Sequence, residues 1–178
     1  MRKQNALILG GLLGMAAAWA LARSNPPLDT VPQVDLDRYL GRWYEIARYP
    51  NRFERKCDRD VTAEYSIERN GKIRVTNSCV KSNGAITRAV GAAKVADKST
   101  NAKLKVVFFR PFYGKYWIID LGRDYDYAVV GEPSRRYLWI LSRTPKMSND
   151  LYSSITSRLA AKGYDASKLI QARQTAAR

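Results

Sequence analysis

The sequence predicts an all-β domain, an eight-stranded antiparallel up-and-down barrel with one C-terminal helix packed outside it. Three observations predict this fold class. Short segments rich in Val, Ile, Tyr, Phe and Trp recur at intervals of roughly ten to fifteen residues, with Gly, Pro, Asn and Asp between them. The pair Asn70-Gly71 separates two such segments and favours a type I′ hairpin turn. Helical periodicity is confined to one stretch after the last strand, so no helical crossover separates the strands.

The N-terminal segment, residues 1–22, is predicted to be a signal peptide. Arg2 and Lys3 precede an apolar run over residues 6–20, and residues 20–22 form a small-x-small cleavage site. The run is shorter than the roughly 20 residues that a membrane-spanning helix needs, which favours cleavage over a retained anchor. No cysteine follows the run. We therefore expect an exported protein, in the periplasm or at the outer membrane, without a lipid anchor on an N-terminal cysteine.

The barrel domain is predicted to span residues 35–172, after an extended, proline-containing leader at residues 23–34. Eight strands with short links fit a closed barrel, in which every edge is paired and alternate side chains point inward. The predicted strands cover residues 42–49, 60–69, 72–80, 86–96, 103–109, 114–121, 126–132 and 136–142.

One amphipathic helix is predicted after the strands. Ser148 or Asn149 can cap its N-terminus, and Gly163 ends it. A single apolar stripe is suited to packing against the outside of the barrel. The stripe consists of Leu151, Ile155 and Leu159. Residues 173–178 are predicted to be a tail.

The chain contains no histidine. Ser-His-Asp and Cys-His nucleophilic systems need an imidazole base, and histidine-based metal sites need the imidazole as a ligand, so none of these can form. Carboxylates such as Glu45, Asp120 and Asp126 remain as acid–base candidates, but they form no recognisable catalytic pair. We predict no catalytic residue, no metal and no cofactor.

The charge balance is strongly basic, with 31 Lys and Arg against 16 Asp and Glu, a net charge of +15. The basic residues are scattered singly, and an exported protein meets little nucleic acid, so we predict no nucleic-acid partner. A solvated surface with affinity for an anionic membrane fits the pattern better.

The two cysteines, Cys57 and Cys79, are predicted to form a disulfide, because an even pair in an oxidising compartment is usually bonded. A strict two-residue turn at Asn70-Gly71 would place Cys79 opposite about Thr62, and a bulge would shift this register by one residue. The bridge therefore requires residues 57–60 to fold back over the barrel edge rather than continue the strand.

Three short motifs resemble those of the lipocalins. Gly41-Arg42-Trp43 matches their G-x-W motif, Arg123-Asp124-Tyr125 keeps two residues of their T-D-Y motif, and Arg143 ends the eighth strand. Five longer blocks look like the bacterial lipocalins related to apolipoprotein D. The blocks are YEIAR (44–48), RFER (52–55), VTAEYS (61–66), RPFYGKYW (110–117) and YLWILSRTP (137–145). The resemblance covers about residues 35 to 170, and Arg123 in place of Thr affects only the expected hydrogen bonding of its loop.

The resemblance implies a structural role for two residues. In lipocalins the Trp of G-x-W lies at the closed end of the barrel, and the Arg that ends the last strand packs across its ring. In this chain these residues are Trp43 and Arg143. We expect the pair to close that end through a cation–π contact without touching ligand.

Strand alternation, combined with the resemblance, predicts which side chains face the interior. Counting from Trp43 places Glu45 and Ala47 inside. Small inward residues leave space, so Ala47, Ala63, Gly91 and Ala93 argue for a cavity rather than a packed core. A bulge would reverse the facing of a strand. Val75 shares a face with Ala63 only if a bulge lies beside the Asn70-Gly71 turn. The predicted ligand-binding residues are Ala47, Ala63, Tyr65, Val75, Gly91, Ala93, Leu104, Val106, Phe108, Tyr116, Ile118, Tyr137 and Trp139.

The resemblance implies non-catalytic carriage or storage of a fatty acid, lysophospholipid or similar apolar ligand for the cell envelope. We expect a monomer or weak dimer. Three alternatives stay open: a solid barrel without a cavity, a lipid-modifying enzyme on the same barrel, and an adaptor whose basic outer face binds an anionic membrane or a partner.

Overall fold

The structure of the protein is a computed structural model that describes residues 26–109 and 111–175. The predicted signal peptide at residues 1–22 lies outside the described residues. The elements in chain order are α1 (Leu36–Tyr39), β1 (Gly41–Arg48), β2 (Arg59–Ile67), β3 (Ile73–Val80), β4 (Ile86–Val95), β5 (Lys103–Phe109), β6 (Phe112–Leu121), β7 (Tyr127–Gly131), β8 (Leu138–Ser142), α2 (Asn149–Leu159), two 3-10 turns (Ala160–Lys162 and Ala166–Lys168) and β9 (Ile170–Gln171).

The eight long strands form a closed antiparallel barrel, which confirms the predicted fold class. The strands pair in the order β2-β3-β4-β5-β6-β7-β8-β1, and β1 pairs again with β2 to close the sheet. The short β9 pairs with β1 outside this circle. The predicted boundaries differ by at most two residues, with the largest differences where β2 ends at Ile67, β6 starts at Phe112 and β8 starts at Leu138.

The hairpin between β2 and β3 has a three-residue loop, so the predicted type I′ turn is wrong. The Gly71 amide donates to the Glu68 carbonyl oxygen at 2.8 Å, and Gly71 has φ +76°. This geometry is that of an ordinary turn followed by a left-handed glycine, which inserts one extra residue into the strand pair. Tyr65 consequently lies opposite Val75. Val75 and Ala63 therefore share the inner face, as the bulged alternative predicted.

A second bulge lies in β1 and overturns one predicted orientation. Glu45 lies opposite Leu141, whereas Ala47 lies opposite Ile140, so Ile46 is the extra residue. Alternation is broken at this point. Ala47 turns outward and is fully buried in the apolar layer beneath α2 rather than in the barrel.

Two apolar clusters lie on opposite faces of the sheet. The inner cluster fills the lower part of the barrel around Trp43 and includes Val34 from the leader. The outer cluster joins α2 to the sheet through Ile155 and Leu159, which are almost fully buried. Ser148 caps α2, because its hydroxyl accepts a hydrogen bond from the Leu151 amide. In residues 26–109 and 111–175, no helix has both the length and the apolar character needed to span a membrane.

The predicted disulfide between Cys57 and Cys79 is confirmed, with Cα atoms 5.6 Å apart. The segment before β2 folds back as the bridge requires: the Asp58 amide donates to the Val80 carbonyl oxygen, and Asp60 has φ +53°.

The C-terminal segment is attached to the barrel rather than free up to residue 175, in contrast to the predicted tail. The Gln174 side chain donates to the backbone carbonyl oxygens of Glu45 and Val61, at 2.8 and 2.9 Å. Thr175 is bound by the Asp60 carboxylate. This segment bridges β1 and β2 where their direct pairing ends at Tyr44 and Thr62.

Candidate ligand-binding site

The closed end of the barrel is formed around Trp43 and Arg143. The guanidinium carbon of Arg143 lies 3.8 Å from the centre of the Trp43 ring, and Trp43 is fully buried. The same guanidinium donates to the carbonyl oxygens of Arg38, Arg42 and Tyr125, at 2.6, 3.0 and 3.2 Å. These contacts join three chain segments over the indole and leave both side chains fully engaged.

The loop that contains Arg123 is held by other groups than a threonine hydroxyl. The Arg38 guanidinium lies 4.2 Å from the Tyr125 ring centre and donates to the Arg123 carbonyl oxygen. The Tyr125 hydroxyl accepts a hydrogen bond from the Asp35 amide at 2.8 Å. The substitution at Arg123 is thus accommodated by backbone and aromatic contacts.

A group of three tyrosines lies above Trp43. The Tyr116 hydroxyl oxygen is 2.7 Å from that of Tyr39 and 2.8 Å from that of Tyr65. Burial raises the pKa of Tyr65 to about 12 and the pKa values of Tyr39 and Tyr116 well above 10. The three hydroxyls are neutral at ordinary pH and form a hydrogen-bonded layer. Tyr39 was not predicted; the Asp35 cap of α1 is the sequence signal that places it there.

A row of inward residues leads from the closed end to the open end. Trp43 pairs with Ala63, Ala63 with Asn77, and Asn77 with Ala89, so the four side chains share the inner face of β1 to β4. Trp43 is fully buried, whereas Ala89 is exposed. The strands of a barrel tilt, so a paired row climbs along its axis. An inward residue exposed to solvent shows that the barrel is open at the level of Ala89.

One polar atom in this row lacks a partner. The side-chain carbonyl oxygen of Asn77 is buried and accepts no hydrogen bond from the described residues. A buried acceptor without a donor is unfavourable, so a water or a ligand donor would stabilise it.

The space beside Gly91 is filled by the side chain of Phe108 and is not part of a cavity. A Cβ atom at Gly91 would lie 2.8 Å from Cδ1 of Phe108 and 2.5 Å from the Val107 carbonyl oxygen. The Phe108 ring occupies the room that Gly91 leaves. The prediction that Gly91 widens the cavity is therefore wrong, although the two residues do lie together.

Aromatic rings lie along one side of the open end. Tyr137 stacks on Trp139 with ring centres 5.9 Å apart and planes 9° from parallel. Phe53 lies beside Tyr137 at 5.7 Å. The Trp139 indole N–H donates to Oε1 of Glu54 at 2.9 Å, which fixes the ring.

A charged cluster lies inside the upper barrel. Arg48 Nη1 is 2.7 Å from Glu45 Oε1, and Arg48 Nε is 3.1 Å from Glu54 Oε2. The second contact is an ion pair without a hydrogen bond, because the N–H is not aimed at the oxygen. Burial and the neighbouring Glu54 carboxylate raise the pKa of Glu45 well above its usual range. Arg48 and Glu54 were not predicted, because the bulge at Ile46 is what turns Arg48 inward.

The structure brings most of the predicted ligand-binding residues together. Gly91 lies beside Phe108, and Tyr137 stacks on Trp139, so both are next to this group. Ala47 lies apart from it, in the outer cluster. The predicted residues that lie in or pack against the inner cluster are Ala63, Tyr65, Val75, Ala93, Leu104, Val106, Phe108, Tyr116, Ile118 and Trp139.

Two depressions lie outside the barrel. One, of about 560 Å³, follows the outer face of β2 to β4 and is lined by polar side chains such as Thr62 and Arg74. The other, of about 620 Å³, lies at the closed end beside Leu36 and Tyr125. Neither is lined by a predicted ligand-binding residue. Among the described residues, no group of three or more His, Cys, Asp and Glu is placed to hold a metal.

Comparisons with known proteins all place this chain among the lipocalins. Residues 34–174 match the family described as "Lipocalin-like domain". The chain is 42% identical over 150 residues to temperature-induced lipocalin-1 of Arabidopsis thaliana, covering 80% of each chain. It is 42% identical over 158 residues to outer membrane lipoprotein Blc of Escherichia coli K12, covering 87% of this chain and 89% of that one. Rat apolipoprotein D is 34% identical over 155 residues, covering 82% and 78%.

Solved structures show the same architecture. Insecticyanin from the tobacco hornworm Manduca sexta superposes with a TM-score of 0.69 at 25% identity, covering 84% of this chain and 86% of that one. Per a 4, a cockroach allergen, superposes with a TM-score of 0.67 at 20% identity, covering 85% and 96%.

Proposed function

We propose that this chain, which belongs to the lipocalin family, binds a fatty acid, a lysophospholipid or a similar single-chain amphiphile inside its barrel. It would carry or store this molecule for the cell envelope and leave it chemically unchanged.

The observation that carries the proposal is the exposed, inward-facing Ala89. The inner face of β4 presents small side chains at Ala89 and Ala93, and Ala63 lies across from them on β2. Small residues beside the aromatic rings of Phe108 and Trp139 form an apolar wall suited to an alkyl chain.

Burial of the alkyl chain would supply the affinity. Each methylene contributes about 0.8 kcal/mol, so roughly fourteen methylenes give about 11 kcal/mol before association and ordering costs are subtracted. Those costs leave micromolar binding as the expectation. Selectivity among acyl chains should be loose, since one methylene more or less changes little.

The polar head group would remain near the open end. Arg48 is already held by Glu45 and Glu54, so it offers no free cation to an incoming carboxylate or phosphate. The exposed Arg52 and Arg55 in the loop after β1 can meet such a group at the mouth.

A non-catalytic role is proposed because no activated nucleophile lies in the barrel among residues 26–109 and 111–175. The sequence has no histidine, and both cysteines form the disulfide. The buried tyrosines have raised pKa values, so they stay protonated at neutral pH and cannot accept a proton as general bases. Two reactive thiols in a titration of the unreduced protein would contradict this part of the proposal.

An envelope location is proposed from the predicted export segment and from the Escherichia coli relative, whose name is outer membrane lipoprotein. That relative is named as a lipoprotein, in contrast to the expectation of no lipid anchor on an N-terminal cysteine. The two cysteines of this sequence, Cys57 and Cys79, are bonded to each other.

Native mass spectrometry of the protein purified from its own source tests the function. A carried lipid is expected as a defined added mass at one molecule per barrel, and the same spectrum gives the proposed monomeric or weakly dimeric state. A delipidated, folded sample should then bind a fluorescent fatty acid saturably and release it to lysophospholipid. Absence of both the added mass and saturable binding would contradict ligand carriage.

A further inference from the structure

We propose that the open end of the barrel docks on an anionic lipid membrane through four exposed aromatic side chains. These side chains, the aromatic rim, are Phe53, Phe109, Phe112 and Tyr113. The purpose of docking, which is exchange of ligand with the membrane, rests on the proposed function; the docking itself rests on the geometry and charge of this end.

The aromatic rim is unusually exposed for apolar side chains. Phe109 and Phe112 have 76% and 77% of their surface accessible, and Phe53 and Tyr113 have 63% and 60%. Isolated exposed apolar residues are ordinary, but a concentration of large ones at one end of a molecule marks an interaction surface. Aromatic rings are also the side chains best suited to the boundary between head groups and acyl chains.

The position of the aromatic rim favours a membrane over a small partner. Phe53 lies in the connection from β1 to β2, whereas Phe109, Phe112 and Tyr113 belong to the β5–β6 hairpin. These two connections lie on opposite sides of the barrel in the strand order, and both are at the end away from Trp43. Contact on both sides of the mouth with one flat surface would turn the open end toward that surface.

The open end of the barrel carries more net positive charge than the closed end, so an anionic surface attracts the open end more strongly. By sequence, the open-end connections at residues 49–58, 81–85, 110–111 and 132–137 contain seven basic and three acidic residues. The closed-end segments at residues 35–40, 68–72, 96–102, 122–126 and 143–148 contain seven basic and six acidic residues. The larger positive excess therefore lies beside the aromatic rim.

The three acidic residues of the open end are already subtracted in this balance, and two of them pair with basic residues outside the counted segments. Glu54 pairs with Arg48, and Asp58 pairs with Arg59 and Arg173. Glu132 accepts hydrogen bonds from the backbone amides of Ser134 and Arg136. The exposed cations of this end are Arg52, Arg55, Lys56 and Arg136.

Arg52 and Phe53 show how the two features combine. The Arg52 guanidinium lies 5.5 Å from the centre of the Phe53 ring. A ring inserted at the head-group boundary with a cation beside it at phosphate level satisfies both the apolar and the charged side chain. Docking in this orientation would let an alkyl chain pass between the membrane and the barrel without crossing water.

Flotation of the exported protein with vesicles tests the surface. Vesicles of phosphatidylcholine alone and of an equimolar mixture with phosphatidylglycerol are compared at low and high salt. We expect binding to the mixed vesicles that weakens with salt. Phe109→Ser/Phe112→Ser should lose about tenfold or more of this binding. The matched control Ile67→Ser/Val90→Ser removes two exposed apolar side chains outside the rim and should retain it.

Charge variants test whether the basic residues of the open end, rather than the net charge of the whole protein, attract the vesicles. Arg52→Gln/Arg55→Gln/Lys56→Gln should bind mixed vesicles severalfold more weakly. Arg69→Gln/Lys72→Gln/Lys98→Gln removes the same charge from the closed end and should bind as the wild type does. Equal losses in the two triple variants would mean that net charge alone drives binding, which overturns the proposal.

Three further outcomes test this inference and separate it from the proposed function. Fluorescent fatty-acid binding without vesicles should be unchanged in Phe109→Ser/Phe112→Ser; a loss there would place the rim in the ligand site instead of at a membrane. Concentration-dependent dimers that disappear in the same variant, with no vesicle binding by the wild type, would identify a second copy as the occupant and overturn membrane docking. Docking without fatty-acid binding would leave the surface supported and contradict the proposed function.

Discussion

Arg143 and Trp43 are held in face-to-face contact, with the guanidinium carbon 3.8 Å from the centre of the indole ring. The Arg143 side chain both closes the end of the barrel and links chain segments to one another. The same guanidinium binds carbonyl oxygens in α1, at the start of β1 and in the β6–β7 loop, and the loop is far from the other two in the sequence. The closed end therefore depends on the Arg143 side chain, whose contacts with Trp43 and the three carbonyl oxygens all lie at that end of the barrel.

Replacement of Arg143 by Ala should destabilise the fold without weakening ligand binding. The cation–π contact contributes about 1 to 2 kcal/mol, and loss of the charged hydrogen bonds adds to it, so we expect a decrease of about 2 to 4 kcal/mol in the free energy of unfolding. Urea unfolding measures this change. Arg143→Lys keeps the charge but not the planar guanidinium, so its free energy of unfolding should lie between those of the wild type and Arg143→Ala. A large loss of fatty-acid affinity at unchanged stability would contradict a structural role.

Replacement of Ala89 by Trp should obstruct the barrel. Ala89 faces inward but is exposed, so a large side chain there can enter the open volume without displacing packed neighbours. We expect at least about tenfold weaker fatty-acid binding at nearly unchanged stability, from the several methylenes that the indole would displace.

Val90→Trp is the matched control for this experiment. Val90 is the next residue on β4, is 54% exposed and points outward, so its replacement should leave binding unchanged. Ala63→Trp, deeper on the same row, should also block the ligand. Equal binding by both β4 variants would show that the alkyl chain does not occupy this part of the barrel.

The disulfide is expected to contribute about 3 kcal/mol to stability, because it closes a loop of about 22 residues in the unfolded chain. Cys57→Ala/Cys79→Ala should lower the free energy of unfolding by about this amount and leave the barrel folded. The wild type under reducing conditions serves as the control and should reach the same stability. A double variant as stable as the oxidised wild type would show that the bridge does not restrict the unfolded chain.

The fold was predictable because its signal is repeated along the chain. Each strand carries its own alternation, and errors of two residues at the start of β6 or β8 do not change which strands pair. The disulfide followed from composition and compartment. The Trp43–Arg143 contact followed from the resemblance, since no pattern of charges in the sequence links residues one hundred positions apart.

The site was less predictable because it depends on bulges and on which neighbour fills a given space. A single extra residue at Ile46 turned Ala47 outward and Arg48 inward, and nothing in the sequence marks it. Gly91 does lie on the inner face, but sequence gives the volume that a glycine leaves and not the ring that occupies it. Ala89 could have been found, because it lies on the same alternation as Gly91.

Glu45→Gln should change the pH dependence of stability in a defined direction. Burial first, and then the Glu54 carboxylate, raise the pKa of Glu45 in the folded protein. A carboxyl group that holds its proton more tightly when folded supports the fold below its unfolded pKa of about 4.3, and this support decreases as pH rises toward the folded pKa. Gln cannot ionise. The variant should therefore resemble the wild type near pH 4 and be more stable than it near pH 8, in urea unfolding at both values.

The difference between the two proteins isolates Glu45, because every other titrating group is common to both. Glu64→Gln provides the control, since Glu64 is an exposed carboxylate paired with Arg42 on the outer face and should give a small change at either pH. The competing expectation is that Arg48 keeps Glu45 ionised and that their 2.7 Å ion pair stabilises the barrel. In that case Glu45→Gln would be the less stable protein near pH 8, because it would leave the buried guanidinium with Glu54 alone. The sign of the difference at pH 8 thus decides whether the pKa of this carboxyl group is raised or lowered in the folded protein.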